Sequence, residues 1–148
     1  MRHLKRTIAF IAVLAMSVAC VGSVYAANGS NGTQASPTLA MYAVWLDPGT
    51  ESGELRISFQ VTATEWADSL GVSYFEIYRA SDDKLIDTVH GSTSNRLRSE
   101  GFSYAYTYSH TSSRIISGVY YYAVIAVSAE TNTAYDSRTL TTGAVKAP

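Results

Sequence analysis

Cysteine is almost absent from this chain of 148 residues, since Cys20 is the only one. A single cysteine forms no disulfide within the chain, so the fold must depend on its apolar core. Histidine is scarce as well. Beyond the N-terminal segment only His90 and His110 occur, and neither has the His-x-x-x-His or Glu-x-x-His spacing of a helical zinc site. We therefore predict no metal and no cofactor.

The chain also lacks the motifs of the common catalytic sites. It has no Gly-x-Ser-x-Gly turn around an activated serine, and its glycines are scattered instead of forming a phosphate-binding loop. No spacing of acidic residues singles out a catalytic pair. Asp82 and Asp83 are adjacent, but this pattern is typical of a polar turn rather than of a calcium site. These absences predict a protein that is not an enzyme, with no catalytic residue to assign.

The N-terminus has the anatomy of an export signal. A basic cluster over residues 2–6 precedes an apolar run over residues 8–21, and Val24 and Ala26 stand at the two positions where small residues precede cleavage. This order is typical of a secretory signal helix. We assign residues 1–26 to a signal peptide and predict a secreted, extracellular protein, either free or associated with the cell surface.

Two other fates of this segment stay open. The apolar stretch over residues 8–27 is long enough to span a bilayer, so it could remain as an uncleaved anchor. Residues 17–20 also weakly resemble the cleavage site of a bacterial lipoprotein, at which Cys20 would carry the lipid, although Ser17 stands where leucine is usual.

Positive charge becomes scarce once the signal is removed. Three of the 11 basic residues lie within residues 1–26 and none of the 12 acidic residues does, which leaves 8 against 12 and a net charge of −4. Such a chain has no basic surface large enough for nucleic acid. An extracellular protein or a glycan is the predicted partner, and no membrane contact is expected after cleavage.

The remaining chain predicts a linker and one β-domain. Residues 27–37 are small and polar, with glycine and proline, and indicate a flexible linker. Residues 38–148 contain no amphipathic helix, and apolar and polar residues alternate most clearly over residues 54–62. We predict an all-β fold, an antiparallel β-sandwich of about seven strands. The predicted strands are residues 39–46, 54–62, 73–80, 85–90, 102–110, 118–129 and 135–142.

Residues 63–71 break the alternation between two predicted strands. We expect Gly71 to turn the chain there, and Leu70, together with Trp66, to plug one end of the core. Residues 91–101 are polar and are predicted to be irregular.

From residue 55 onward the strand spacing resembles that of fibronectin type III and immunoglobulin-like domains. Residues 74–79 look like their third strand and residues 120–127 like their sixth. The resemblance implies a tyrosine at the start of the sixth strand whose hydroxyl bonds back to the preceding corner. One alignment assigns this role to Tyr120 and another to Tyr121, and a slip of one residue exchanges the two faces of the strand.

Residues 55–147 are also similar to small exported proteins of Gram-positive bacteria. The ending Asp-Ser-Arg-Thr-x-Thr-Thr, here residues 136–142, is the most specific shared feature. Before the third strand they share a Thr-x-Thr, an aspartate and a glycine, here Thr62, Thr64, Asp68 and Gly71. This resemblance implies export and the fold, and it implies no activity.

Aromatic residues supply the candidate binding surface. Alternation over residues 102–108 puts four rings on one face, which fits either a platform for sugar rings or the inner face of a packed sheet. Residues 118–129 are apolar on both faces, so one of those faces is either covered or a docking surface. The ligand-facing candidates are Tyr104, Tyr106, Tyr108 and Tyr121, with Phe102 on the same stripe. The fold-defining candidates are Tyr120, Asp136 and Arg138, the last two as an ion pair tying the final strand to its neighbour.

Three functions fit these patterns. The leading hypothesis is an exported, non-catalytic interaction module that binds a protein or a glycan. A small secreted hydrolase acting on wall or extracellular polymer, with His90 or His110 beside an acidic residue, is one alternative. A structural subunit that assembles by strand exchange is the other.

Overall fold

The computed structural model describes residues 29–32 and 36–148, so the predicted signal segment lies outside the described residues. Within them the chain forms strands and contains no helix that is long and apolar enough to cross a membrane. All strand pairs are antiparallel, which confirms the prediction of an all-β antiparallel domain. The strands are β1 (Gly29–Gly32), β2 (Leu39–Pro48), β3 (Glu54–Arg79), β4 (Lys84–His90), β5 (Arg98–Thr111), β6 (Tyr120–Glu130), β7 (Tyr135–Thr141) and β8 (Val145–Lys146).

The predicted strands 54–62 and 73–80 are one continuous strand, β3, which is 26 residues long. The break in alternation between them does not end the strand, because it marks register shifts. Between the pairs Thr62↔Ser103 and Ala67↔Gly101, β3 has four residues where β5 has one. The extra residues form an irregularity that bends the strand while its pairing continues.

The two halves of β3 pair with different neighbours. The first half lies between β2 and β5, and the second half lies between β4 and β6. Leu70 and Gly71 mark the crossing, since each pairs with β5 on one side and with β6 on the other. Strand β6 continues to β7 and β8, and β1 extends β2.

Gly71 is required at this crossing by its backbone. Its φ is +135°, and a Cβ placed there would lie 2.3 Å from the carbonyl oxygen of Leu97. The same carbonyl accepts a hydrogen bond of 2.8 Å from the N–H of Val72. Gly71 was predicted to turn the chain between two strands. It lies instead within β3, where its backbone comes close to the carbonyl of Leu97.

A single apolar cluster joins both halves of β3. The inward residues of its first half pack with Phe75 and Ile77 of its second half and with the buried face of β6. From the first half come Leu55, Ile57, Phe59 and Val61, and from β6 come Tyr121, Ala123, Ile125 and Val127. Burial of apolar surface contributes a free energy of about 25 cal/mol for each Å², and this is the main stabilising term for such a cysteine-free domain.

The register of β6 decides which of its first two tyrosines is buried. Tyr121 is 0% exposed, and its hydroxyl accepts a hydrogen bond of 2.9 Å from the N–H of Ile116. Tyr120 is 54% exposed and points away from the core. This corrects two expectations: Tyr121, a ligand-facing candidate, is buried and not available to a ligand, and Tyr120, a fold-defining candidate, lies outside the core.

The other face of β6 is partly covered from within the domain. The ring of Tyr122 stacks on Tyr78 of β3, with ring centroids 5.3 Å apart and planes 10° apart. The Tyr122 hydroxyl also donates to Asp83 at 3.0 Å. Ala126 is buried, so the open part of this face is small.

Two smaller expectations also change. Four residues of the predicted linker form β1, whose backbone pairs with Tyr42–Trp45 and needs no apolar side chain to do so. Arg138 donates to the carboxylate of Asp136 and, at 2.8 Å, to the carbonyl of Ser137. These contacts lie within β7, so the pair braces its own strand. The link to β6 comes instead from the Ser137 hydroxyl, which donates to the carbonyl of Val127 at 3.0 Å.

Glu54 closes the turn between β2 and β3 and makes this turn sensitive to acid. Hydrogen bonds from the Thr50 N–H, the Ser109 hydroxyl and the Glu51 N–H lower the pKa of the Glu54 carboxyl from 4.5 to about 2. A lowered folded-state pKa stabilises the fold above the unfolded-state value and loses that effect as the pH falls. We expect Glu54→Gln to be less stable than the parent at pH 7, with the difference shrinking between pH 4.5 and 2.

Urea unfolding at several pH values measures this difference. Glu51→Gln, an exposed neighbour in the same turn, is the matched control and should leave the pH dependence unchanged. A stability gap between parent and Glu54→Gln that is equally large at pH 7 and at pH 2 would contradict the assignment.

Candidate functional site

An exposed pair of aromatic rings marks the candidate site. Trp66 and Phe102 are 55% and 56% exposed, and their rings meet edge to face with centroids 5.5 Å apart. Two large rings left in water cost solvation free energy that an apolar ligand would recover. Trp66 was expected to plug the core, and the structure corrects this while placing Leu70 there at 0% exposure.

The irregular stretch of β3 explains why Trp66 is outside. Residues 64–66 are all exposed and belong to the stretch that has more residues than the facing part of β5. The surplus residues cannot all keep inward positions, so they project from the sheet. Phe102 is the single residue of β5 opposite this projection, which brings the two rings together.

An open groove of about 540 Å³ begins at Trp66. Its size lies within the usual range for small-molecule sites. The lining residues carry two aromatic rings, two guanidinium groups, one carboxylate and two aliphatic hydroxyls. These belong to Trp66, Tyr104, Arg96, Arg98, Glu100, Thr93 and Ser99.

The segment that carries Arg96 is fixed by side-chain hydrogen bonds. The side-chain oxygen of Asn95 accepts the N–H groups of Ser92 and Leu97 at 2.9 and 3.2 Å, and its amide donates to the carbonyl of His90 at 2.8 Å. Leu97 is fully buried and anchors the end of this segment. Residues 91–101 were expected to be irregular. Residues 91–97 are irregular but held in place, whereas residues 98–101 belong to β5, which corrects that part of the prediction.

Tyr104 ties this segment to β5. Its hydroxyl donates to the carbonyl of Arg96 at 2.8 Å, and its ring packs against Phe59 of the core with centroids 5.6 Å apart. The backbone of Arg96 has a φ of 59°, a left-handed conformation that is uncommon for residues other than glycine. The Arg96 side chain is exposed and borders the groove.

Arg98 is more enclosed than Arg96. Its Nη2 lies 3.4 Å from the hydroxyl of Ser128 and 4.0 Å from a carboxylate oxygen of Glu130. Its Nε is buried and has no hydrogen-bond partner among the described residues. The groove is therefore bordered by the exposed side chain of Arg96 and by the more enclosed side chain of Arg98, and Glu100 also lines it.

The predicted aromatic stripe divides between core and site. Phe102 is exposed, whereas Tyr104, Tyr106 and Tyr108 are half-buried and pack against the core cluster. Tyr108 contacts Phe75 with ring centroids 5.8 Å apart. Of the four rings, Tyr104 lines the groove and Phe102 flanks it through Trp66.

The structure brings one of the two histidines to an acid. The Nε2 of His110 lies 3.2 Å from a carboxylate oxygen of Asp87, and Arg114 approaches the other oxygen at 3.3 Å. Burial raises the pKa of Asp87, but hydrogen bonds from Ser112 and His110 and the charge of Arg114 outweigh it and hold the pKa below its usual value. His90 instead lies against the ring of Tyr74. The cluster joins β4 to β5 through hydrogen bonds to the Asp87 carboxylate. The Ser112 hydroxyl bonds this carboxylate rather than the imidazole of His110.

A second groove of about 410 Å³ lies between β4 and the segment that follows β5. Arg79 borders it but is committed to Asp82 through two hydrogen bonds of 2.8 and 2.6 Å. Arg114 likewise donates to the carbonyl of Ile86 at 2.9 Å. Among the described residues, no group of three or more His, Cys, Asp or Glu side chains is placed to hold a metal ion.

No protein-family model matches the chain, and no curated protein or solved structure is significantly similar to it. The site must therefore be judged on its own geometry. Sequence reasoning identified Tyr104 and Phe102 but missed Trp66, Arg96 and Arg98. The broken alternation over residues 63–71 was the signal for Trp66, and the two arginines carried no local signal.

Proposed function

We propose that this chain is an exported, non-catalytic interaction module with a β-sandwich fold of the fibronectin type III or immunoglobulin-like kind. Three features support the sandwich: the change of partners along β3, the single core shared by its two halves, and the corner bond from Ile116 to Tyr121. In such sandwiches two sheets face each other across one core, and a corner tyrosine begins the sixth strand. The order of basic, apolar and small residues over residues 1–26 supports export.

The exposed Trp66–Phe102 pair beside the polar groove carries the assignment of a ligand. Sugar rings have apolar C–H faces that pack on aromatic rings, while their hydroxyls bond to charged and polar groups. The groove supplies both kinds of partner, with guanidinium groups as donors and Glu100 as an acceptor. A glycan is the ligand class that this combination favours, and a protein surface is the alternative.

The same groove supports binding without catalysis. Hydrolysis of a glycosidic bond normally requires two carboxyl groups flanking the bond, one as an acid and one as a base or nucleophile. Glu100 is the one carboxylate in the described lining of the groove. Asp87 and His110 lie in the separate bridge between β4 and β5 and do not line it.

Glycan and surface-protein arrays test this proposal. The full chain is expressed in a bacterial host, and the protein that this host exports is purified and applied to the arrays. We expect a hit on the glycan array that weakens at least ~10-fold in Trp66→Ala, since losing an aromatic anchor commonly costs about 1–3 kcal/mol. Trp45→Ala is the matched control, because Trp45 is also exposed (39%) but lies away from the groove on β2. It should bind like the parent. No binding on either array would contradict the proposal. Equal losses of binding in the two variants would show that the ligand site is not the groove beside Trp66.

A further inference from the structure

Strand β5 has a long free edge. Its backbone pairs with β3 on one side, and no other strand of the described chain pairs with the opposite side. It is 14 residues long, whereas β4 and β7, which also pair with one neighbour each, have seven residues. Unpaired backbone groups along such an edge are a template for another strand.

The register shows which backbone groups are free. The N–H of Ser112 donates to the carbonyl of Gly53, and this pair continues the register of β5 with β3. Hydrogen-bonded and non-bonded pairs alternate in an antiparallel ladder, so from residue 103 to residue 109, where the register with β3 is unbroken, the even-numbered residues of β5 bond to β3. The N–H and C=O groups of the odd-numbered residues therefore point to the free edge, and these residues are Ser103, Ala105, Thr107 and Ser109.

Nothing in the composition of this edge discourages pairing. Residues 101–109 contain no charged residue and no proline, and the four residues with outward backbone groups have small side chains. By contrast, β4 carries Lys84 and Asp87, and β7 carries Asp136 and Arg138. Charged side chains and proline are the usual protection of an edge strand. Here that protection is confined to the two ends of β5.

We propose that the β5 edge binds the β5 edge of a second copy of this chain in antiparallel fashion. Ala105 is the midpoint of the uncharged run, so a two-fold axis beside it would overlap the two runs completely. That register sets Ser103 opposite Thr107 of the second copy, a pairing of small hydroxyl residues that is favourable across strands. Within β5 it also sets Glu100 opposite His110 of the second copy, so no two residues of like charge are paired in the strand. The contact uses the same strand of both copies and closes at a dimer rather than a fibre.

Sedimentation velocity over a concentration series, without any ligand, tests this proposal. The full chain is expressed, and the protein is purified in the form that the expression host produces. We expect a concentration-dependent dimer. Ala105→Pro removes one outward N–H without removing a bond to β3, and it should raise the dimer dissociation constant at least ~10-fold. Thr107→Lys, which keeps the backbone intact, should do the same by placing a charge within the run.

Gln60→Lys is the matched control, because Gln60 pairs with Ala105 and is exposed on the same face but lies on an inner strand. It should dimerise like the parent. Circular dichroism and thermal unfolding show whether each variant is folded. If Ala105→Pro does not fold, the test depends on Thr107→Lys. A monomer at every concentration, or a dimer that survives Thr107→Lys or is broken equally by Gln60→Lys, overturns the proposal. The comparison of Trp66→Ala with Trp45→Ala on the glycan array tests the proposed function separately, so the failure of one proposal does not decide the other.

Discussion

Gly71→Ala is expected to lower the free energy of unfolding by about 2–6 kcal/mol, through backbone strain and overpacking together. The new methyl group would lie 2.3 Å from the Leu97 carbonyl oxygen, at a backbone φ of +135°. Neither partner can move freely, because that carbonyl also accepts the N–H of Val72. Since small domains are stable by only about 5–15 kcal/mol, much of the protein should be unfolded at moderate denaturant concentrations.

Gly101→Ala separates the two causes. Gly101 has nearly the same backbone φ, +132°, but a Cβ there would meet nothing within 4 Å. It should therefore cost only the backbone strain, about 1–3 kcal/mol. Urea unfolding of both variants measures the difference. Equal losses in the two variants would show that β3 and the Leu97 carbonyl do not approach as closely as the crossing requires.

Tyr121→Ala should be similarly damaging, at about 3–5 kcal/mol, because it removes a fully buried aromatic ring from the shared core. Tyr121→Phe isolates the corner bond. It keeps the ring but leaves the N–H of Ile116 without its acceptor, which should cost about 1–3 kcal/mol. Chemical denaturation monitored by circular dichroism measures both losses.

Tyr120→Phe and Tyr120→Ala are the controls for these variants. Tyr120 is the adjacent residue and is exposed, so both should change stability by less than about 0.5 kcal/mol. The reverse pattern, with Tyr120 sensitive and Tyr121 tolerant, would mean that β6 is shifted by one residue and presents its other face to the core.

The strands were predictable where one face is polar. Over residues 54–62 apolar and polar side chains alternate, so pattern alone identifies the strand and its inner face. In β6 both faces are apolar, and periodicity cannot choose between Tyr120 and Tyr121. The choice depends on contacts with Ile116 and the core, which are tertiary.

The continuity of β3 was not predictable for a related reason. A β-bulge changes the parity of alternation in the same way as a turn does, so residues 63–71 were interpreted as a connection. The distinction depends on whether β5 and β6 continue to pair across Leu70 and Gly71. That is a property of distant segments, which no local pattern contains.

The site was half predictable. The ring stripe on β5 indicated an aromatic surface, but burial of Tyr106 and Tyr108 against Phe75 and its neighbours is decided by the opposite strands. Trp66 joins the stripe only because the surplus residues of β3 project beside Phe102. Arg96 and Arg98 reach the groove through the hydrogen bonds of Asn95 and Tyr104, which bring together residues that no sequence motif connects.

The claim that the groove beside Trp66 binds the ligand is tested most directly by the two indole N–H signals in a proton–nitrogen NMR spectrum. The chain has two tryptophans, so each signal reports one surface. On titration with the strongest glycan from the array, we predict that the Trp66 signal shifts, together with backbone amides of residues 96–104, while the Trp45 signal stays in place. A shift of the Trp45 signal with Trp66 unmoved would contradict the account.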